Sequence, residues 1–226
     1  SVNLVMGGLG ELNLNQGNSG NGVHAYDDKM PTAWEESWGN SLSTGVKLAN
    51  GAGSSMNISY TTPKIAGTTI EVAYAPEMGA ADTADKSQAT ASNSKDAGYD
   101  AVININPSLG TEILSGLNVY GGASTIESRK NSSIEEDQWQ AVGGFTYDLG
   151  PVSVGMMQSG IYTGHDNLNG GTHVYNVYKN TAFGIAFNVN DDFSVSYGEY
   201  HTRKAGYKQA DSQSGPLTRK VEVTSW

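Results

Sequence analysis

Cysteine is absent from the 226 residues, which excludes a disulfide framework, a thiolate metal site and a cysteine nucleophile. Long apolar runs are missing as well. No stretch approaches the roughly 18 residues that a membrane-spanning helix needs. Basic residues are few, 13 Lys plus Arg against 23 Asp plus Glu, for a net charge of -10. That balance argues against a nucleic-acid-binding surface, because phosphate contact needs a basic face. The start, Ser1 to Gly10, lacks the basic beginning and apolar core of a secretory signal. Either such a signal is removed or the sequence is an internal piece of a longer chain. The histidines His24, His165, His173 and His201 are scattered without metal-ligand spacing. A Ser–His pair means little where Ser is so common. Gly17 to Gly22 does not follow a strand into a helix, so no phosphate-cradling loop is indicated. An enzyme is not expected.

What is present is polar and Gly-rich, yet it carries 12 Tyr, 4 Trp and 4 Phe, too many aromatics for a disordered chain. Helical periodicity is almost missing, while alternation of period two recurs. Met56, Ile58 and Tyr60 alternate with Asn57, Ser59 and Thr61, and Ile70, Val72 and Tyr74 with polar or small neighbours. Tyr99, Ala101, Ile103 and Ile105 share one phase, as do Trp139, Ala141, Gly143, Phe145 and Tyr147. Similar runs fall near 11–16, 115–126, 151–162, 173–188, 192–203 and 216–226. Such alternation marks strands with one apolar and one wet face, and an all-β, antiparallel protein is predicted.

The connections between these runs alternate between short and long. Pro63 to Gly67, Pro107 to Leu114, Leu149 to Pro151 and Asn190 to Asp191 are short. Pro76 to Ala97, Glu127 to Asp137, Thr163 to Thr172 and Lys204 to Gly215 are long. In an up-and-down meander, alternate connections share one end of the sheet. Sorting of this kind is what outer-membrane barrels show. Tyr74, Tyr99, Trp139 and Tyr162 lie beside long connections, and Tyr60, Tyr147, Phe187 and Phe193 beside short turns. Two aromatic girdles around a plainer apolar belt match the two interfaces of a bilayer. Runs of about 9–11 residues suffice for tilted membrane-crossing strands. Gly121, Gly143, Gly144, Gly155 and Gly184 suit a curved, closed sheet, and closure is needed because lipid cannot satisfy an open edge.

With these features the sequence resembles the Gram-negative general-diffusion porins, in particular the 16-stranded trimeric family. Ser54 to Glu77, SSMNISYTTPKIAGTTIEVAYAPE, is similar to that family's strand–turn–strand segment with its Pro, Ala-Gly and Tyr-Ala-Pro landmarks. Ala25 to Trp38, AYDDKMPTAWEESW, lies where those porins carry a third extracellular loop that folds into the barrel. The resemblance implies a transmembrane β-barrel in which 17–53 is the pore-constricting loop and 54–226 are consecutive strands. It leaves about three strands missing before this sequence and two after. Trp226 is out of phase with Val221 and Val223, as at a truncation point. The sequence is therefore expected to be a segment of a larger barrel, or an unusual smaller one.

The implied function is passive diffusion of small hydrophilic solutes and ions, by a homotrimer in the outer membrane in contact with lipid and lipopolysaccharide. Asp27, Asp28, Glu35 and Glu36 in the long loop would set a negative potential at a constriction and favour cations. The same four carboxylates could hold Ca²⁺, or simply be solvated. Asn57, Ser59, Thr61, Glu71, Asp100, Asn104, Asn118, Gln138 and Gln140 would wet the lumen, although the exposed face of a soluble sheet has the same composition. In the porins this sequence resembles, a basic wall faces the acidic loop, partly from early strands missing here; Arg129, Lys130, Arg203 and Lys204 sit at or near loop ends and are given no such role, since lipopolysaccharide phosphates or solvent would suit them equally. No other cofactor is expected. The alternatives are a non-channel β-rich adhesin or soluble sandwich, and a sugar-specific pore, for which Tyr120 and Tyr200 alone make no lumen ladder.

Overall fold

A computed structural model describes residues 1–16, 20–31, 48–78, 95–106, 112–128, 136–164, 177–190, 192–208 and 217–225, with side chains to residue 203. The described residues form one sheet of eleven strands in which every strand pairs antiparallel with its sequence neighbour. The strands are β1 (Val2–Val5), β2 (Glu11–Asn15), β3 (Asn57–Thr61), β4 (Thr68–Ala75), β5 (Lys95–Ile105) and β6 (Leu117–Ser128). They continue with β7 (Gln138–Leu149), β8 (Val152–Tyr162), β9 (Val177–Asn190), β10 (Phe193–Lys208) and β11 (Leu217–Ser225). The sheet order is linear, β1 through β11. Among the described residues no helix is long and apolar enough to cross a membrane, which leaves strand-based crossing untouched.

The predicted alternation of connections holds along the meander except at 106–116, which is longer than 129–137 and 209–216. β7–β8 and β9–β10 turn in two residues each, Gly150–Pro151 and 191–192, while 163–176 and 209–216 link the next pairs at the opposite end. The β3–β4 turn closes on a bridge between Ile65 and Thr68, so Ala66 and Gly67 occupy its two central positions at φ 49° and 80°. Two successive positive φ values match the type I′ hairpin geometry, whose twist suits the strands it joins. Its first position is usually Asn, Asp or Gly, and Ala66 there carries a modest strain. The connection at 106–116 contains a helical turn, Glu112–Ser115.

Which face is wet decides what this sheet is for. Gln138 and Gln140 are 4% and 6% exposed, whereas Trp139 between them is 58% exposed. The same inversion recurs along the sheet. Asn57, Ser59, Asp100, Ser124, Ser159, Asn180 and Thr202 are buried, while Ile58, Ile70, Val72, Ile103, Val119, Phe145, Met156 and Ile185 are exposed. In water this arrangement would present a large contiguous apolar surface, far beyond the few hundred Å² that soluble proteins tolerate. In a bilayer it is the stable arrangement. Strands β5 to β10, of 11 to 16 residues, are long enough to cross one.

The girdles are clean on β3 to β8. Tyr74 and Tyr99 pair across strands at the long-loop end with ring centroids 5.1 Å apart, and Trp139 pairs with Tyr162. Farther along, Phe183 and Tyr197 occupy the outward face well inside β9 and β10, so aromatics there are not confined to the strand ends. β10 also runs on to Lys208, which places Arg203 and Lys204 within a strand. Its backbone stays paired against β11 through Lys208.

An arginine inside the outward apolar band should be expensive. Met156→Arg, in the middle of β8, is expected to destabilise the folded protein in lipid vesicles by about 2–4 kcal/mol, read from reversible urea unfolding.

Candidate functional site: a loop docked on the inner face

The long β2–β3 connection does not stand away from the sheet. Its described parts, 20–31 and 48–55, lie on the inward face across β4 to β7. Farther out, Met30 and Pro31 reach Gly155 of β8 and Gly184 of β9. A Cβ at Gly155 would come within 2.7 Å of Pro31 Cδ, so these two wall glycines make room for the loop.

One carboxylate holds both limbs of this loop. Asp100, projecting inward from β5, accepts hydrogen bonds from the backbone N–H of Val23 (2.8 Å to Oδ2), Ala52 (2.8 Å to Oδ1) and Gly53 (3.2 Å to Oδ2). Charge-assisted bonds of this type are about twice as strong as neutral ones. Gly22 N–H donates to Glu71 Oε1 at 3.0 Å and Gly51 N–H to Gln140 Oε1 at 3.0 Å. Gly22 and Gly51 have φ of 58° and 56°, and a Cβ on either would fall within 2.5 Å of the Asp100 carboxylate. Only glycine serves at these two points. Asn21 completes the attachment, donating to Asn57 (2.6 Å) and Ser59 (3.1 Å) while accepting from Asn15 (3.2 Å).

Apolar packing finishes the docking. Val23, Ala49, Tyr26, Met30 and Leu48 of the loop pack with Val102, Tyr120, Val142, Met157 and Ile161 of the wall. Tyr26 stacks on Tyr120 at 4.9 Å and accepts a hydrogen bond from Asn104 at 3.0 Å, while Tyr120 donates to the Lys29 carbonyl at 3.1 Å. Lys29 Nζ lies 4.9 Å from the centre of the Tyr26 ring. Burial raises the Tyr26 phenol above its ordinary range and lowers the Lys29 ammonium below its own.

Of the residues singled out in the sequence, Asn57, Ser59, Glu71, Asp100, Asn104, Gln138 and Gln140 share the inward face. All of these except Gln138 hydrogen-bond directly to the loop or position it. Asp27 is buried and Asp28 half-buried on the docked limb. Glu35 and Glu36 lie outside the described residues, as do Arg129 and Lys130. Among the described residues no group of three His, Asp or Glu is placed to hold a metal ion. Tyr26, Lys29 and the apolar docking strip escaped sequence reasoning. Their signal was there: Val102, Val142, Met157 and Ile161 put apolar side chains in the phase meant to be wet.

The fold and the docked loop together define a membrane-spanning β-wall, lipid-facing outside and polar inside, whose inner side is partly covered by its own loop. A model of the Gram-negative porin family matches residues 5–215, and the chain belongs to that family. A search among curated proteins finds no match. Membership implies a channel rather than an enzyme, and an outer-membrane setting.

Removing the common anchor tests the docking. Asp100→Ala leaves three buried N–H groups without their acceptor, at about 1–3 kcal/mol each if none is resatisfied. The variant is expected to fold but to show a noisier open-channel current than wild type. A trace as quiet as wild type would mean that the loop is held by other contacts.

Proposed function

We propose that the protein forms a water-filled channel for passive diffusion of small hydrophilic solutes and ions, mildly preferring cations and assembling as a homotrimer. The observation that carries this reading is the inward face itself, polar on either side of an apolar strip that is covered by a loop anchored at Asp100. A loop in that position limits solute size. The inward face and its loop carry Glu11, Asp27, Asp28, Glu71 and Asp100 against Lys29 and Lys95, an excess that favours cations in a narrow passage. Glu35 and Glu36 would add to it. A sugar-specific pore has less support, since Tyr120 and Tyr200 are buried and Tyr120 is stacked against the loop.

Single-channel recording of the full-length protein in a planar bilayer under a KCl gradient tests the proposal. Ohmic openings that close in three steps, with a cation-selective reversal potential, are expected. Replacing Asp27, Asp28, Glu35 and Glu36 by their amides should move the reversal potential towards zero. An unchanged potential would remove the acidic loop from the selectivity mechanism, and absence of conductance from folded protein would remove the channel.

A further inference from the structure

Each limb of the docked loop carries an Asn–Gly pair, Asn21–Gly22 on one and Asn50–Gly51 on the other. Among asparagine dipeptides this one reacts most readily with itself, because glycine has no side chain to shield its nitrogen from the preceding carboxamide. The glycine nitrogen gives up its proton and attacks Asn Cγ. The Cγ–Nδ2 bond breaks, ammonia leaves carrying a proton, and a five-membered succinimide remains. Water then adds to either ring carbonyl and opens the ring to aspartate or isoaspartate. Water is the only co-reactant.

In both pairs the nucleophilic nitrogen is the atom that the wall holds. Gly51 N–H donates to Gln140 Oε1 at 3.0 Å, and Gly22 N–H to Glu71 Oε1 at 3.0 Å. A succinimide nitrogen has no hydrogen, so ring closure and this docking bond exclude each other. The surroundings of Gly51 add to the restraint. It is buried at φ 56° and ψ -162°, and a Cβ there would lie 2.5 Å from Asp100 Oδ2 and 2.8 Å from Val23 Cβ. The Gly51 peptide therefore has little room to turn towards the carboxamide while the loop is seated.

The two asparagines differ in what holds them. Asn21 is 8% exposed, and its carboxamide donates to Asn57 and Ser59 and accepts from Asn15 and Asn57. Both reacting groups of that pair are fixed. Asn50 is exposed to solvent, so in its pair the wall restrains the nitrogen alone. We propose that Asn50 is a self-modification site of the loop, silent while Gly51 N–H is bonded to Gln140 and converted to aspartate or isoaspartate when that limb lifts from the wall. Loss of ammonia makes the change one-way, and each conversion adds a carboxylate to the loop. The proposal rests on the docked loop and not on conductance.

Peptide-mapping mass spectrometry of the full-length protein, folded in detergent micelles and kept at mildly alkaline pH, reads each site separately. In urea, where both limbs are released, Asn21 and Asn50 should convert at similar rates, with isoaspartate among the products. Over the same time in the folded protein, Asn50 should convert more slowly than in urea and Asn21 should remain asparagine. Gln140→Ala should speed conversion of Asn50 about five- to tenfold, the rate counterpart of one lost hydrogen bond, and leave Asn21 unchanged. Gln158→Ala, on the outward face of β8, should alter neither site. Equal Asn50 rates in Gln140→Ala and wild type would overturn the proposal, as would equal acceleration by Gln158→Ala. So would equal rates in folded and urea-treated wild type, or aspartate formed without isoaspartate, which marks direct hydrolysis that bypasses Gly51. A Gln140→Ala protein that fails to fold shows itself by conversion at Asn21 as well, and the comparison of folded with urea-treated wild type then decides. Protection of Asn50 in a protein without conductance would sink the channel and leave this site standing.

Discussion

Hydrocarbon offers a peptide group no hydrogen-bonding partner, and this structure is organised around that constraint. Each strand from β2 to β10 is paired on both edges, with registers that run nearly unbroken for ten residues or more between β6 and β10. Once the ladder takes care of the backbone, side chains are free to divide by phase. Apolar groups go out and polar groups go in, the reverse of a soluble sheet. Turn length follows from the same demand: two-residue links such as Gly150–Pro151 expose almost no unpaired backbone, and the irregular chain is moved to the other end.

The docked loop obeys the same requirement by other means. Its backbone leaves the ladder, so its N–H groups need acceptors from the wall, and Asp100, Glu71 and Gln140 supply them. The wall also gives the loop an apolar bed in Val102, Tyr120, Val142 and Met157. Burial of that bed stabilises the docked position at about 25 cal/mol per Å², and the carboxylate bonds fix its register. The inner face thus combines two environments, a dry patch under the loop and a polar surface beyond it.

Much of this was legible in the sequence. The period of two set the strands, and β4 falls on the expected residues without adjustment. The sorting of loops by end and the pairs Tyr74–Tyr99 and Trp139–Tyr162 gave the membrane orientation. Polar residues at alternate positions correctly marked the inward face, but not what they do there. Asp100 and Gln140 look like any wet-face residues until the loop's backbone is placed against them, because their partners are main-chain atoms 47 to 89 residues distant. Likewise, Arg203 read as a loop-end cation because strand length is poorly marked where polar residues occupy both phases, as they do in β10 from Glu199 to Lys204.

Because the wall grips the loop chiefly by its main chain, at Gly22, Val23, Gly51, Ala52 and Gly53, the attachment makes few demands on the side chains between those points. Apart from the buried or packed Val23, Tyr26, Asp27, Met30, Pro31, Leu48 and Ala49, the loop can change its charge or bulk while the same anchors keep their hold. On the proposed reading, permeability and architecture fall to different parts of the chain, and selection acting on what passes through can rewrite the loop without rebuilding the frame.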